Sequence, residues 1–168
     1  VFVASHAGLF ALDARTGKRV WFHPVRWAES SPEYASGSIF AGTDDGRALA
    51  LDAVSGRIKW EFQAAGPVES SPAVAGGRVF VGCNRGAVYS LDAETGKKIW
   101  EYGLGGRVEG KPLLMNGRVF IGAVNGRFVA LDAASGKILW GKNLGGSIES
   151  SAAGDGETVF VGTKDGVL

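Results

Sequence analysis

Four glutamates recur at near-regular spacing, and their type and pattern are the first feature of this chain that could do chemistry. Each precedes a short apolar segment, and three of them begin the tripeptide Glu-Ser-Ser. A ring of carboxylates could hold a cation or a basic peptide, whereas a solvated polar rim needs no ligand. We favour the rim, because Gly110-Lys111 breaks the pattern. The candidate channel-rim residues are Glu29, Glu69, Glu109 and Glu149.

Other residue types with reactive side chains are sparse and scattered. His6 and His23 are the only histidines and lack metal-ligand spacing. Cys83 is the only cysteine, which excludes a disulfide scaffold, and we interpret it as an inert small residue. Asp44-Asp45-Gly46 lacks the alternating ligands of a calcium loop and is interpreted as a turn. The sequence therefore predicts no catalytic, cofactor-binding or metal-binding residue.

The net charge and hydropathy of the chain argue against two classes of binding partner and against a membrane-spanning helix. The chain has 168 residues, with 18 basic and 17 acidic side chains and a net charge of +1. This balance gives no electrostatic reason to expect nucleic acid or an anionic membrane. No stretch of about 20 apolar residues predicts a transmembrane helix. Nucleic acid and an anionic membrane are therefore not expected as partners.

An internal repeat decides the fold. The four tryptophans of the repeat are 39, 40 and 40 residues apart, and an aspartate eight residues before each keeps the same intervals. The shared pattern is Asp-x-x-Thr/Ser-Gly-x-x-x-Trp. Its members are Asp13, Gly17, Trp21, Asp52, Gly56, Trp60, Asp92, Gly96, Trp100, Asp132, Gly136 and Trp140.

Each repeat reads as four short strands rich in Val, Ile and Phe and bounded by Gly, Asn and Asp. Segments such as Val79-Phe80-Val81 are apolar on both faces, so they must be covered on both sides. A four-stranded sheet repeated every 40 residues is typical of a β-propeller blade. We therefore predict an all-β propeller with a partial blade at 1–28, blades at 29–68, 69–108 and 109–148, and a partial blade at 149–168.

The predicted strands do not close a ring. About seventeen strands are expected, whereas a closed ring of four blades needs sixteen. Val159–Leu168 repeats Val1–Phe10, so both segments would occupy the same strand positions of a blade. We expect an arc of a seven- or eight-bladed propeller, with further blades from the same or another chain. We also expect that a chain opening directly on a strand is processed or partial.

The repeat pattern has a local physical explanation. An aspartate side chain can accept hydrogen bonds from backbone N–H groups two residues on, and Thr or Ser can add another. The glycine can take a positive φ, and the indole can cover a neighbouring blade. We therefore expect a structural role for these positions, and edge protection for the basic residues that begin each fourth strand, such as Lys97 and Lys98.

The pattern resembles the repeat of pyrroloquinoline-quinone-type propellers, and it covers essentially the whole chain. This resemblance implies a propeller in which the tryptophans dock successive blades. One branch of the family contains quinoprotein dehydrogenases with bound quinone and calcium. A cofactor-free branch includes a periplasmic lipoprotein that assists outer-membrane protein assembly. A single cysteine cannot form the adjacent-cysteine disulfide common in the dehydrogenases, so we expect the cofactor-free branch.

The resemblance implies a non-enzymatic binding or scaffolding propeller that presents its loops to protein partners. It also implies an extracytoplasmic compartment, either periplasmic or secreted. Two alternatives remain open. The chain could be part of a quinoprotein dehydrogenase whose catalytic residues lie elsewhere, which binding of quinone and calcium would reveal, or a sensor domain of a larger receptor. Trp27, with Arg26, His23 and Tyr34, marks the most irregular segment between units, and Trp27 is the candidate partner contact.

Overall fold

The computed structural model describes residues 1–28 and 30–166, and all regular secondary structure in these two ranges is β-strand. The strands form consecutive antiparallel sheets, each built from neighbouring segments of the chain. The first sheet has three strands in the order β1-β2-β3. Their bounds are Phe2–Ser5, Gly8–Leu12 and Arg19–Pro24.

Three complete four-stranded sheets follow, each in simple meander order. The second sheet contains β4 (Glu33–Ala35), β5 (Ser38–Gly42), β6 (Arg47–Asp52) and β7 (Ile58–Gln63). The third contains β8 (Ala73–Ala75), β9 (Arg78–Gly82), β10 (Ala87–Asp92) and β11 (Lys98–Gly103). The fourth contains β12 (Leu113–Met115), β13 (Arg118–Gly122), β14 (Arg127–Asp132) and β15 (Ile138–Asn143).

A fifth, two-stranded sheet pairs β16 (Ala153–Gly154) with β17 (Val159–Phe160). The register repeats between units. Phe40 lies opposite Ala50, Phe80 opposite Ser90 and Phe120 opposite Ala130. Each pairing of a third with a fourth strand also carries the same irregularity, for example between Ser90 and Leu91. The repeat of the sequence is therefore a repeat of hydrogen-bond register.

The hydrophobic core lies between the sheets. One cluster joins Phe40 and Trp60 of the second sheet to Val81, Tyr89 and Leu91 of the third. The next joins the third sheet to the fourth in the same way. Strands β5, β9 and β13 are buried on both faces, as the sequence indicates for apolar strands that need cover on both sides.

The first strands of successive sheets contact one another, β4 with β8, β8 with β12 and β12 with β16. They form the inner wall of the arc, and the fourth strands form the outer edge. This is the arrangement of blades in a β-propeller. None of the described residues forms a helix long and apolar enough to cross a membrane.

Two local details depend on individual residues. The first strand of the third sheet starts at Ala73, four residues into the blade predicted from residue 69, and the serines before it bond to other partners. Ser70 bonds with both backbone groups of Gly82, and Ser71 Oγ accepts the N–H of Ser31. The residue types of Arg85-Gly86 suit a tight hairpin less well than Asn-Gly or Asp-Gly, yet Gly86 has a φ of 81°, like Gly46 and Gly126.

Candidate functional site

The Asp-x-x-Thr/Ser-Gly loops connect the third and fourth strands of the sheets. In the first loop, Asp13 Oδ1 accepts the backbone N–H of Thr16 at 2.7 Å and the hydroxyl of Thr16 at 2.7 Å. Asp52, Asp92 and Asp132 accept the same pair of bonds from Ser55, Thr95 and Ser135. Gly17, Gly56, Gly96 and Gly136 all have φ near +70°. The loop is therefore one rigid unit used four times.

These hydrogen bonds lower the pKa of each aspartate. The hydroxyl of Thr or Ser contributes most, followed by its backbone N–H. Because the pKa in the folded state lies below the ordinary value of 3.8, the charged carboxylates stabilise the fold above about pH 4. This contribution is lost as the pH falls through the lowered folded pKa. The four loops thus contribute to the loss of stability as the pH falls below about 4.

We expect Asp92→Asn to reduce the pH dependence of stability between pH 5 and pH 2, about the range over which such a carboxyl is protonated. The amide keeps an acceptor oxygen but cannot titrate. Urea unfolding at several pH values, followed by circular dichroism, measures this. Asp44→Asn, which alters an aspartate outside these loops, is the control. Equal pH dependence for Asp92→Asn and the unchanged protein would contradict the prediction.

Three of the repeated tryptophans join one sheet to the next. Trp21 Nε1 donates to Ala53 O, Trp60 Nε1 to Ala93 O and Trp100 Nε1 to Ala133 O, each at 3.0 Å. The indole also covers the loop glycine of that next sheet. A Cβ at Gly56, Gly96 or Gly136 would lie 2.6 Å from the facing ring. These glycines are therefore required by close approach as well as by their φ.

Trp140 is in a different environment. It is 39% exposed, against 7% for Trp60 and 8% for Trp100, and it packs on Phe120 and Phe128 of its own sheet. Beside it lies a cavity of about 450 Å³ lined by Phe128, Leu144, Val159 and others.

One end of the sheets carries two kinds of loop, and we call it the loop face. It consists of the turns between second and third strands (residues 43–46, 83–86 and 123–126) and the described residues of the loops that join successive sheets (25–28 with 30–32, 64–72, 104–112 and 144–152). Each joining loop bonds to the turn on either side. Val68 N donates to Thr43 O at 2.9 Å, and Pro67 O accepts from Asn84 N at 2.8 Å. The loop face is thus a continuous hydrogen-bonded surface.

The candidate rim glutamates lie in these joining loops, and each described member has a different partner. Glu69 Oε1 accepts from the Asn84 amide at 2.5 Å. Glu109 pairs with Arg107 at 3.1 Å, and Glu149 pairs with Lys164 at 3.3 Å. Ser147 and Lys164 lower the pKa of Glu149. Glu29 lies outside the described residues.

The described glutamates therefore have separate partners rather than a shared one. No group of three His, Cys, Asp or Glu side chains within residues 1–28 and 30–166 could hold a metal ion. The solvated polar rim stays an interpretation of these residues. His6 is exposed, His23 is half-buried, and Cys83 is fully buried between the second and third sheets.

An ion pair near the inner wall was not anticipated from the sequence. Lys111 Nζ contacts Glu33 Oε2 at 2.6 Å, joining the fourth sheet to the second across the third. The pair lies at a cleft of about 230 Å³ lined also by Ala73, Leu113 and Ser151. The sequence marks both residues as departures from the repeat. Lys111 stands where the other units have serine, and Glu33 stands where they have Ala73, Leu113 and Ala153.

Trp27 is the most exposed tryptophan on the loop face. Its side chain is 46% exposed and packs on His6, with ring centroids 4.8 Å apart. Its backbone N–H donates to His6 O, and its own carbonyl accepts from Asp44 N at 2.9 Å. Its φ of 55° is left-handed, which is costly for a residue with a Cβ. The bonds on both sides hold this indole in place.

Trp27 occupies the register position that Pro67, Arg107 and Ser147 occupy in later units, since all four offer a carbonyl to the following turn. Arg26 is exposed and His23 is half-buried, whereas Tyr34 lies on β4 and stacks on Phe2 with ring centroids 6.0 Å apart. The structure thus places Trp27 and His6 together and separates both from Tyr34. What the arrangement offers chemically is a fixed apolar surface on a polar face.

Comparison with known proteins identifies the repeat. The family described as outer membrane protein assembly factor BamB matches residues 1–168. No curated protein sequence matches the chain.

Solved structures superpose closely. BamB from Moraxella catarrhalis matches with a TM-score of 0.83 at 21% identity, over 98% of this chain and 55% of that one. The computationally designed Ika8 protein gives 0.84 at 17% identity, over 96% and 51%. A quinohemoprotein alcohol dehydrogenase from Comamonas testosteroni gives 0.76 at 19% identity, over 90% and 35%. These likenesses confirm the predicted propeller fold, and the chain spans about half the length of the first two.

Proposed function

The chain belongs to the family of outer membrane protein assembly factor BamB, and from this premise we propose that it is a non-enzymatic propeller that binds a protein partner through its loop face. The blades we assign are those at 29–68, 69–108 and 109–148, with partial blades at 1–28 and 149–168. We place the protein in an extracytoplasmic compartment, as the family name suggests. The sheets act as a rigid support for the loops.

Trp27 carries this proposal. Tryptophan is enriched among residues that dominate binding energy, because it buries a large area with little loss of side-chain freedom. Here the indole is already fixed by backbone bonds to His6 and Asp44 and by its ring contact with His6, so little ordering remains to be done on binding. Contact with a partner would bury the part of the indole that is exposed here.

The charge pattern supports a protein partner over other classes. Glu109 and Glu149 are paired with Arg107 and Lys164, and Glu69 accepts a hydrogen bond from the neutral amide of Asn84, which leaves the described part of the loop face mixed in sign. A polar rim around an apolar anchor is the usual anatomy of a protein–protein interface. A nucleic acid would instead require a strongly basic surface.

The dehydrogenase alternative has no fitting site among residues 1–28 and 30–166. Quinone and calcium would need an acidic ligand set near the inner wall. The carboxylate described there, Glu33, is already paired with Lys111 beside a cleft of about 230 Å³. The described residues therefore do not fit the cofactor of the dehydrogenases, and we propose no reaction for them.

Site-specific crosslinking tests the proposal. A photoreactive phenylalanine analogue at position 27 is expected to form a covalent adduct with a cell-envelope protein in cells of the source organism. The same analogue at Val54, which is 83% exposed, is the control. It lies in an Asp-x-x-Ser-Gly loop, away from the loop face. Absence of an adduct at position 27, or equal adducts at both positions, would reject Trp27 as the contact.

A further inference from the structure

The hairpin that joins the first two strands of the fourth sheet, residues 115–118, carries side chains that the earlier units do not have. Met115 and Asn116 stand where those units have Ala35-Ser36 and Ala75-Gly76. Met115 Sδ accepts the backbone N–H of Gly156 at 3.2 Å, and Asn116 Nδ2 donates to Gly156 O at 2.6 Å. Both backbone polar groups of Gly156 are thus bound by two adjacent side chains of the neighbouring sheet.

The thioether of Met115 also packs between the fourth and fifth sheets. Met115 lies against the buried cluster that contains Phe120 and Ile148. A Cβ placed on Gly154 would lie 2.9 Å from Met115 Sδ, so the sulfur is in direct contact with strand β16. The apolar packing of this junction and the hydrogen bond of Gly156 therefore depend on the same sulfur atom.

Met115 can also be reached from solvent. The residue is half-buried, and it lines a cavity of about 370 Å³ between the third and fourth sheets. Leu114, Asn116 and Arg118 line the same cavity. A small oxidant such as hydrogen peroxide fits there easily, because one water molecule occupies only about 30 Å³. Met115 thus combines access to solvent with a contact that joins two sheets.

The chain has two sulfur-containing side chains, and they differ in access. Met115 is the only methionine, and Cys83 is the only cysteine. Cys83 is fully buried in the core between the second and third sheets. The susceptibility of a sulfur side chain to oxidation follows its exposure. We therefore expect an oxidant to reach Met115 before it reaches Cys83.

We propose that Met115 is a site of oxidation by peroxides, and that its sulfoxide loosens the junction between the fourth and fifth sheets. A lone pair of Sδ attacks one oxygen of hydrogen peroxide, and the O–O bond breaks as the S–O bond forms. The thioether loses two electrons, which reduce the peroxide, and the second peroxide oxygen leaves as water after proton transfer. A methionine sulfoxide reductase reverses the oxidation. The inference concerns this junction alone and does not rest on the proposed partner.

The junction fits the thioether better than the sulfoxide. On the side of the fifth sheet there is no room for an added oxygen, because Gly156 N lies 3.2 Å from the sulfur. On the side of the buried cluster the oxygen would lie among apolar side chains, which is unfavourable for a polar group. The oxidised side chain is therefore expected to turn toward the cavity. This leaves the N–H of Gly156 without its acceptor, so hydrogen exchange at Gly156 reports the change directly.

Treatment of the native protein with hydrogen peroxide tests the proposal. Intact-mass and peptide analysis should show one added oxygen atom, located at Met115. Hydrogen exchange followed by NMR should then be about two- to tenfold faster at the N–H of Gly156, the change that corresponds to one ordinary hydrogen bond. Treatment with a methionine sulfoxide reductase should restore the original rate. Resistance of Met115 to peroxide in the folded protein, or oxidation without faster exchange at Gly156, overturns the proposal.

Two variants serve as matched controls, and circular dichroism verifies that both fold. Met115→Leu keeps most of the apolar volume but has no sulfur, so peroxide should leave its exchange rates unchanged. Asn116→Gly removes the other bond to Gly156 and reproduces the Gly-Gly pair found at 76–77, and its exchange should still respond to peroxide. A response in Met115→Leu would place the oxidised group elsewhere. The absence of a response in Asn116→Gly would assign the effect to the amide, and either result overturns the proposal.

Discussion

Trp60→Ala is expected to lower the free energy of unfolding by about 3–5 kcal/mol, the range for truncating a buried tryptophan. Trp60 is 7% exposed and packs on Phe40, with ring centroids 5.8 Å apart. Its indole also covers Gly96 and donates to Ala93 O. Alanine removes all three interactions together, so the second and third sheets lose their main attachment at that edge. Urea unfolding followed by fluorescence of the remaining tryptophans measures the change.

Two companion variants separate the causes. Trp60→Phe keeps most of the apolar area but lacks the indole N–H, so it should cost about 1 kcal/mol for the hydrogen bond plus a packing loss. Trp27→Ala truncates an indole that is 46% exposed and should lie within about 1 kcal/mol of the unchanged protein. The prediction fails if Trp60→Ala and Trp27→Ala cost the same.

The fold was predictable from the sequence because the same residue pattern, with the same strand and loop signals, recurs in every unit. The tryptophan interval sets the unit, the Asp-x-x-Thr/Ser-Gly pattern sets one loop, and Val79-Phe80-Val81 demands cover on both faces. The Asp and Trp positions recur in four units, so a strand or loop that is ambiguous in one unit can be assigned by comparison with the others. The structural neighbours accordingly confirm the predicted propeller.

Features present in one unit only were harder to predict. The Lys111–Glu33 ion pair joins residues 78 apart, and it depends on which units lie next to one another around the inner wall. The sequence showed Lys111 as a departure from the repeat but gave no partner for it. Likewise, residue types such as Arg26 and Trp27 marked the segment after the first unit as irregular. The left-handed φ of Trp27, however, accompanies its bonds with His6 and Asp44. Deviations from a repeat locate a candidate site, and tertiary contacts are needed to describe it.

Gly82→Ala is expected to destabilise the protein by about 1–3 kcal/mol, the range for overpacking a filled core. Gly82 ends β9, and a Cβ there would overlap Val108, coming within 2.7 Å of its Cβ and closer still to its Cγ1. Val108 is fully buried in the joining loop, so it has little room to move. Gly82 N–H also donates to Ser70 Oγ at 2.7 Å, and displacing the strand would weaken that bond.

Gly103→Ala is the matched control for this effect. Gly103 is also the last residue of a strand, but no described atom lies within 4 Å of a Cβ placed there. Alanine at that position should be neutral or stabilise by up to about 1 kcal/mol, because it restricts the unfolded chain. Combining Gly82→Ala with Val108→Ala should recover part of the stability, since the smaller side chain removes the Cγ1 overlap. If Gly82→Ala is tolerated as well as Gly103→Ala, the joining loops do not pack against the second strands as tightly as the Val108 contact requires.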